Sequence, residues 1–258
     1  MTLQGLDRDY SPSLFARDAE ATLARQAAEG RALAARRRPL ALVDDDEPAA
    51  RLELFVPEGA GPWPLMAFIH GGYWQELDHT ATDFLAERYL SRGMAFASLG
   101  YGLAPATSIE AMATQCRRGL ALALAALTDR GGAGRVTLGG HSAGAQLACR
   151  VAAAEAAGPG GVEIASLLLV SGVYDLTPLV DTYVNAPLGL DPARARSLSP
   201  LFDDLSRLPP RRVVIAERDP PAFRRQGRDY HAAVQAAGGA STLKDRPGCD
   251  HFDVLDHL

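Results

Sequence analysis

Arg135-Val-Thr-Leu-Gly-Gly-His-Ser142-Ala-Gly-Ala-Gln-Leu-Ala148 is the stretch on which the reading turns. Arg135 to Leu138 is short, apolar in alternation and followed by glycine, which predicts a strand; Ala143 to about Ala156 is rich in Ala with Leu147 and Val151, which predicts a helix. Between them stands Gly140-His141-Ser142-Ala143-Gly144. A serine placed on so sharp a strand-to-helix turn needs small neighbours for the chain to bend, and it presents its hydroxyl beyond the strand end, the arrangement known as a nucleophile elbow. Ser142 is therefore the candidate nucleophile.

On both sides the chain repeats the same rhythm. Arg51 to Val56 alternates polar and apolar like a half-buried strand, after a turn at Asp44 to Pro48. Leu65–Ile69, Met94–Leu99, Ile164–Val170, Arg212–Ala216 and Ser241–Asp245 are further predicted strands. Thr80–Leu90, Ile109–Leu127 and Ala222–Ala237 are predicted helices between them. Continuous apolar runs suit strands covered on both faces, so the expectation is an α/β fold: a mainly parallel central sheet with helices on both sides. The chain of 258 residues fits a single domain, 1–258. Within it, about 12–38 reads as an N-terminal helical arm, and the proline-rich stretch of about 175–210 as a partial lid over the sheet's C-terminal edge, where open α/β sheets bind ligands.

Chain order then sorts the partners of Ser142. Of six histidines, His251 follows the last strand, where the general base is expected; His141 would point away from the nucleophile, His231 lies in a helix, and His70 would pin its own loop. Asp219 follows the strand before, as the acid that orients the imidazole should, with Glu217 and Asp175 as rivals. Gly71 and Gly72, after the strand Leu65–Ile69, would bring backbone N–H groups close to a reacting oxygen and, with the N–H of Ala143, could form an oxyanion hole. Tyr73, Trp74, Tyr174, Tyr183 and Phe252 are candidates for an aromatic pocket wall, each set against the alternative of a core position.

Composition narrows the remaining classes. A net charge of −5 argues against a nucleic-acid surface, and the short basic run Arg36 to Arg38 reads as a solvated helix end. Cys116, Cys149 and Cys249 show no metal-ligand or disulfide spacing, so neither a metal nor another cofactor is expected; Cys116 and Cys149 read as core, and Cys249 as oxidisable if exposed. Met1 to Tyr10 has no apolar signal core, and no apolar run reaches a bilayer's width, so the expectation is a cytoplasmic enzyme with a small-molecule substrate and no membrane partner; a homodimer stays open.

Together these motifs resemble the kynurenine formamidase (arylformamidase) branch of the α/β-hydrolases. The resemblance is carried by His70-Gly-Gly-Tyr-Trp-Gln75, Gly140 to Ala148, Ser171-Gly-Val-Tyr-Asp-Leu176, Ser199-Pro200 after Leu188-Gly-Leu190, Glu217-Arg-Asp219 and Asp250-His-Phe252. Tyr73 stands where lipase-like members carry a third glycine, which favours an aromatic pocket over a wide acyl cleft. The resemblance implies hydrolysis of N-formyl-L-kynurenine to kynurenine and formate. A carboxylesterase for small acyl or aryl esters is the alternative, and a non-catalytic ligand receptor on the same fold is a third reading.

Overall fold

The computed structural model describes residues 5–158 and 162–258. Eight strands form one sheet: β1 Leu40–Val43, β2 Arg51–Phe55, β3 Trp63–Ile69, β4 Ala95–Leu99, β5 Ala133–His141, β6 Ile164–Val170, β7 Arg211–Ala216 and β8 Ser241–Arg246. They lie in the order β1-β2-β4-β3-β5-β6-β7-β8. The β1–β2 and β2–β4 pairs are antiparallel and every later pair is parallel. The mainly parallel sheet is thus present, with an antiparallel edge whose outermost strand, β1, the sequence reading had passed over. Its four residues, Leu40-Ala-Leu-Val43, are all apolar but alternate between half-buried and exposed, as an edge strand's do.

The two faces follow from the period of two along each strand. Leu65, Ala67 and Ile69 of β3 face one side and join Leu138, Leu169, Val213 and Ile215 in the larger core. This side is covered by α4 (Ile109–Thr128), α5 (Ala143–Ala157) and α7 (Pro221–Ala236), through residues such as Leu120, Leu147 and Phe223. Met66 and Phe68 face the other side with Phe96, Leu168 and Val214. There α2 (Ala19–Arg37), α3 (Ala86–Leu90) and the closing turn Asp253–His257 cover them through Leu33, Tyr89, Val254 and Leu255. Full burial of each such side chain stabilises the fold by about 2 kcal/mol, so the sheet's inner strands are its rigid frame.

Several boundaries differ from expectation. The arm is not one helix from residue 12: α1 (Gly5–Asp9) and a 3₁₀ turn at Pro12–Leu14 precede α2, which starts where the Asp18 carboxylate accepts a hydrogen bond from Ala21 N–H. Thr80–Leu90 divides into a 3₁₀ stretch, His79–Leu85, and α3. The 175–210 segment holds short 3₁₀ turns at Thr177–Asp181, Tyr183–Asn185 and Pro200–Phe202, with α6 (Pro192–Ser197) among them. Its later part is anchored to the core: Ala195 and Leu198 are buried, and Gln146 of α5 donates to the Leu198 carbonyl. No helix among the described residues is long and apolar enough to cross a membrane.

Candidate active site

The parallel strands β3, β5, β6 and β7 end at one edge of the sheet, and the sequence-predicted polar residues collect there. At the end of β5, Ser142 adopts φ +55° and ψ −120°, a left-handed backbone that serine rarely takes. Its N–H continues the ladder to the Val170 carbonyl at 2.9 Å, and α5 begins at the next residue. The turn is tight enough that glycine is obligatory beside it. A Cβ on Gly140 would lie 2.1 Å from the Gly144 carbonyl oxygen, and one on Gly144 would lie 2.2 Å from that of Ile69. The pattern Gly-x-Ser-x-Gly is thus the steric solution to this bend.

At the end of β7, Asp219 turns back on its strand so that Oδ2 accepts from the Ala216 N–H at 2.9 Å. Its Oδ1 lies 2.7 Å from Nδ1 of His251, which sits in the loop after β8. Both side chains are almost wholly buried. A carboxylate oxygen only accepts, so Nδ1 carries the hydrogen and Nε2 of His251 is the free acceptor. Ser142 and His251 border the same cavity of about 460 Å³. Among the described residues Ser142 Oγ makes no hydrogen bond, and such contacts commonly tighten only when substrate is bound. Of the rival acids, Glu217 accepts from Gly248 N–H and Asp175 caps Thr177, so neither is bonded to an imidazole.

His141, expected to point away from the nucleophile, does not. It borders the cavity beside His251, the ring centres 4.6 Å apart, and its Nε2 donates to the His251 carbonyl at 2.8 Å. Burial, and then the neighbouring His251, push its pKa well down, so it is neutral. His141 therefore holds the His251 backbone without competing for the proton. The loop is also pinned by Asp250, whose carboxylate accepts from the N–H groups of Arg17, Phe252 and Asp253. Burial opposes its ionisation, yet these donors hold the carboxyl below its usual range. The sequence signal was available only as the Asp-His-Phe spacing.

Gly71 and Gly72 both border the cavity. None of the hydrogen bonds among the described residues uses their N–H groups, whereas both carbonyls accept: Gly71 from the Tyr101 hydroxyl at 3.0 Å and Gly72 from the N–H of Gln75 and Glu76. Gly72 has φ +97°, and a Cβ there would lie 2.3 Å from the Glu76 oxygen. His70 stacks on Tyr101 and its Nδ1 lies 2.8 Å from the Gly71 carbonyl, which is the pinning expected of it; burial lowers its pKa to about 4. Ala143 opens α5, where an N–H has no intrahelical partner.

Tyr73, Tyr183 and Phe252 line the cavity as anticipated for a pocket wall. Trp74 and Tyr174, contrary to expectation, do not. Trp74 is fully buried, its indole N–H donating to Gln146, because the left-handed backbone at Tyr73 and Trp74 rolls the loop inward. Tyr174 is likewise buried and stacks on Tyr230 at 4.1 Å. The opposite wall comes from the N-terminal arm, through Pro12, Ala19, Leu23 and Gln26, and it meets the 175–210 segment where Ser11 donates to the Tyr183 hydroxyl. Of the cysteines, Cys116, Cys149 and Cys249 are all buried and unpaired, so the exposure on which oxidation of Cys249 depended is absent. No cluster of three His, Cys, Asp or Glu side chains suited to a metal occurs among the described residues.

The family model for the α/β-hydrolase fold matches residues 66–254. A kynurenine formamidase of Salmo salar is 33% identical over 224 residues, 81% of this chain and 72% of the relative. The chain belongs to the α/β-hydrolase fold family, in its kynurenine formamidase-like branch. A carboxylic ester hydrolase of Mycobacterium tuberculosis is 32% identical over 218 residues, 74% of this chain and 57% of the relative. Among solved structures, one from Silicibacter sp. TM1040, provisionally named a thioesterase, superposes with a TM-score of 0.82 at 26% identity, covering 99% of this chain and 94% of the other. This α/β-hydrolase is accordingly an enzyme, and the polar cluster at its sheet edge is where its chemistry is to be sought.

Proposed function

We propose that this α/β-hydrolase cleaves a formyl amide, N-formyl-L-kynurenine being the substrate, by nucleophilic attack from Ser142. The observation that carries the reading is the strained Ser142 facing the same cavity as His251, whose Nδ1 is held 2.7 Å from Asp219. In this mechanism His251 Nε2 takes the Ser142 proton as Oγ bonds to the formyl carbon. The resulting oxyanion rests on the N–H groups of Gly71, Gly72 and Ala143. Protonated His251 then gives its proton to the aniline nitrogen as the C–N bond breaks. Water, deprotonated by His251, releases formate and restores Ser142. Asp219 keeps the imidazole in the needed tautomer and stabilises its cation. The kynurenine formamidases among the relatives support the formyl amide, and Tyr73, Tyr183 and Phe252 offer an aryl group apolar walls.

The carboxylesterase reading is favoured by the ester hydrolases among the relatives and uses the same residues. Parallel assays separate the two. Turnover of formylkynurenine at a kcat/KM above that of a short p-nitrophenyl ester is expected; ester turnover without any formyl-amide cleavage rejects the first reading. The absence of both, in folded protein, would favour a ligand receptor.

A further inference from the structure

Ser171 ends β6 as Ser142 ends β5, on the adjacent strand. Both serines have left-handed backbone, φ +46° at Ser171 and +55° at Ser142, and both pass their N–H to the next strand, Ser171 to the Val214 carbonyl at 2.8 Å. This backbone suits glycine, and a serine held in it is strained. The side chain so placed makes one hydrogen bond among the described residues: its Oγ–H donates to Asp219 Oδ2 at 2.6 Å, with both groups buried.

We propose that Ser171 is a positioning residue for the reaction, its hydroxyl locking the Asp219 carboxylate so that Oδ1 stays aligned on His251 Nδ1. Oδ2 receives two donors, the Ala216 N–H and the Ser171 hydroxyl, and Oδ1 receives the imidazole. The Ala216 N–H belongs to Asp219's own turn and is the one contact that would hold Oδ2 without Ser171. The Ser171 bond comes from a different strand and adds a second. It also withdraws charge from the carboxylate. The proposal rests on Ser142, Asp219 and His251 acting as proposed above.

Two substitutions separate the hydroxyl from the backbone. Ser171→Gly removes the hydroxyl and relieves the strain, whereas Ser171→Ala removes the hydroxyl and keeps it. If the hydroxyl positions Asp219, both variants lose about ten- to a hundredfold in kcat, the range set by one hydrogen bond to a buried charge. KM stays nearly constant, and the acidic limb of the kcat/KM profile moves to higher pH because Asp219 is less neutralised. The downfield proton resonance of His251 Nδ1–H, followed by NMR in the substrate-free protein, shifts in both. Wild-type kcat and pH limb in Ser171→Gly, with an unmoved resonance, would overturn the proposal by showing that only the backbone turn matters. Asp219→Asn and Ser142→Ala serve as controls: kcat close to wild type in either brings down the proposed mechanism, and Ser171's positioning role with it. In that event the resonance still reports whether the hydroxyl contacts Asp219.

Discussion

His251 Nδ1 and Asp219 Oδ1 lie 2.7 Å apart with neither side chain more than 3% exposed, so the imidazole is fixed as the tautomer whose Nε2 is a bare acceptor. Replacing Asp219 by Asn puts an N–H or a weaker acceptor against Nδ1 and favours the wrong tautomer. Asp219→Asn is therefore expected to lower kcat by about 10⁴-fold, the effect that this change has in serine proteases. Ser142→Ala should abolish turnover while leaving the unfolding midpoint close to that of the wild type, because its Oγ makes no hydrogen bond among the described residues. Measurable burst-phase turnover by Ser142→Ala would remove the nucleophile assignment.

Gly71 tests the proposed oxyanion hole. A Cβ there would lie 3.1 Å from both the Ser142 Cβ and the His141 carbonyl oxygen, tight enough to displace the loop by a few tenths of an ångström without forbidding the fold. Loss of one well-placed oxyanion donor costs roughly 10² to 10³ in rate. Gly71→Ala should therefore reduce kcat by at least about tenfold at little change in KM. A rise in KM with kcat unchanged would place Gly71 in ground-state binding instead.

Much of this arrangement could be read from residue order, for particular reasons. The bend at Ser142 demands Gly140 and Gly144, so its steric requirement is written in five consecutive residues. Asp219 was legible because it follows the apolar run of β7, and His251 because chain order puts the base after the last strand, although β8 itself is mostly polar. The arm's place as a cavity wall was not, since it depends on contacts such as Arg17 N–H to Asp250, 233 residues apart. Trp74 was misplaced because an aromatic residue declares its size but not its direction, which here depends on the backbone angles of its loop and on Gln146 as a partner. Ser171 carried no local signal as a donor, because its partner comes from the next strand.

Asp83 should make stability depend on pH away from the active site. It is buried where α2 crosses the 3₁₀ stretch, with Gly30 of α2 against its Cβ, and it accepts from Ser98 Oγ at 2.6 Å. Burial pushes its carboxyl up to about 8 against the Ser98 bond, and the carboxylates of Glu53 and Asp78 add to the rise. The folded chain thus holds this proton more tightly than the unfolded chain does. The stabilisation is complete below the unfolded carboxylate pKa of about 4 and is lost as pH climbs to about 8. Asp83→Asn keeps an acceptor for Ser98 and removes the ionisation. Denaturant titrations at pH 5 and pH 8.5 should show that the variant loses less stability across the interval, by at least about 1 kcal/mol. Equal losses in the two proteins would mean that Asp83 ionises without burden.

The cavity's charge bears on how a substrate with the groups of an amino acid would be recognised. Its lining includes the carboxylates of Glu20 and Glu76 and the neutral His70 and His141, and among the described residues it includes no arginine or lysine. An α-carboxylate entering this site meets no cation, whereas an α-ammonium meets two anions at the mouth. Both glutamates are exposed, so the preference is modest and screened by salt. The decarboxylated analogue of N-formylkynurenine, which keeps the ammonium, should be turned over with a kcat/KM at least equal to that of the amino acid. A formyl-aryl acid with the carboxylate but no ammonium should be several-fold poorer at low ionic strength. Glu20→Gln together with Glu76→Gln should narrow that gap, as should salt near 1 M, where the Debye length falls to about 3 Å. A carboxylate-bearing substrate that outperforms its neutral analogue at low salt would contradict this charge assignment and point to a cation reaching the mouth from outside the described lining.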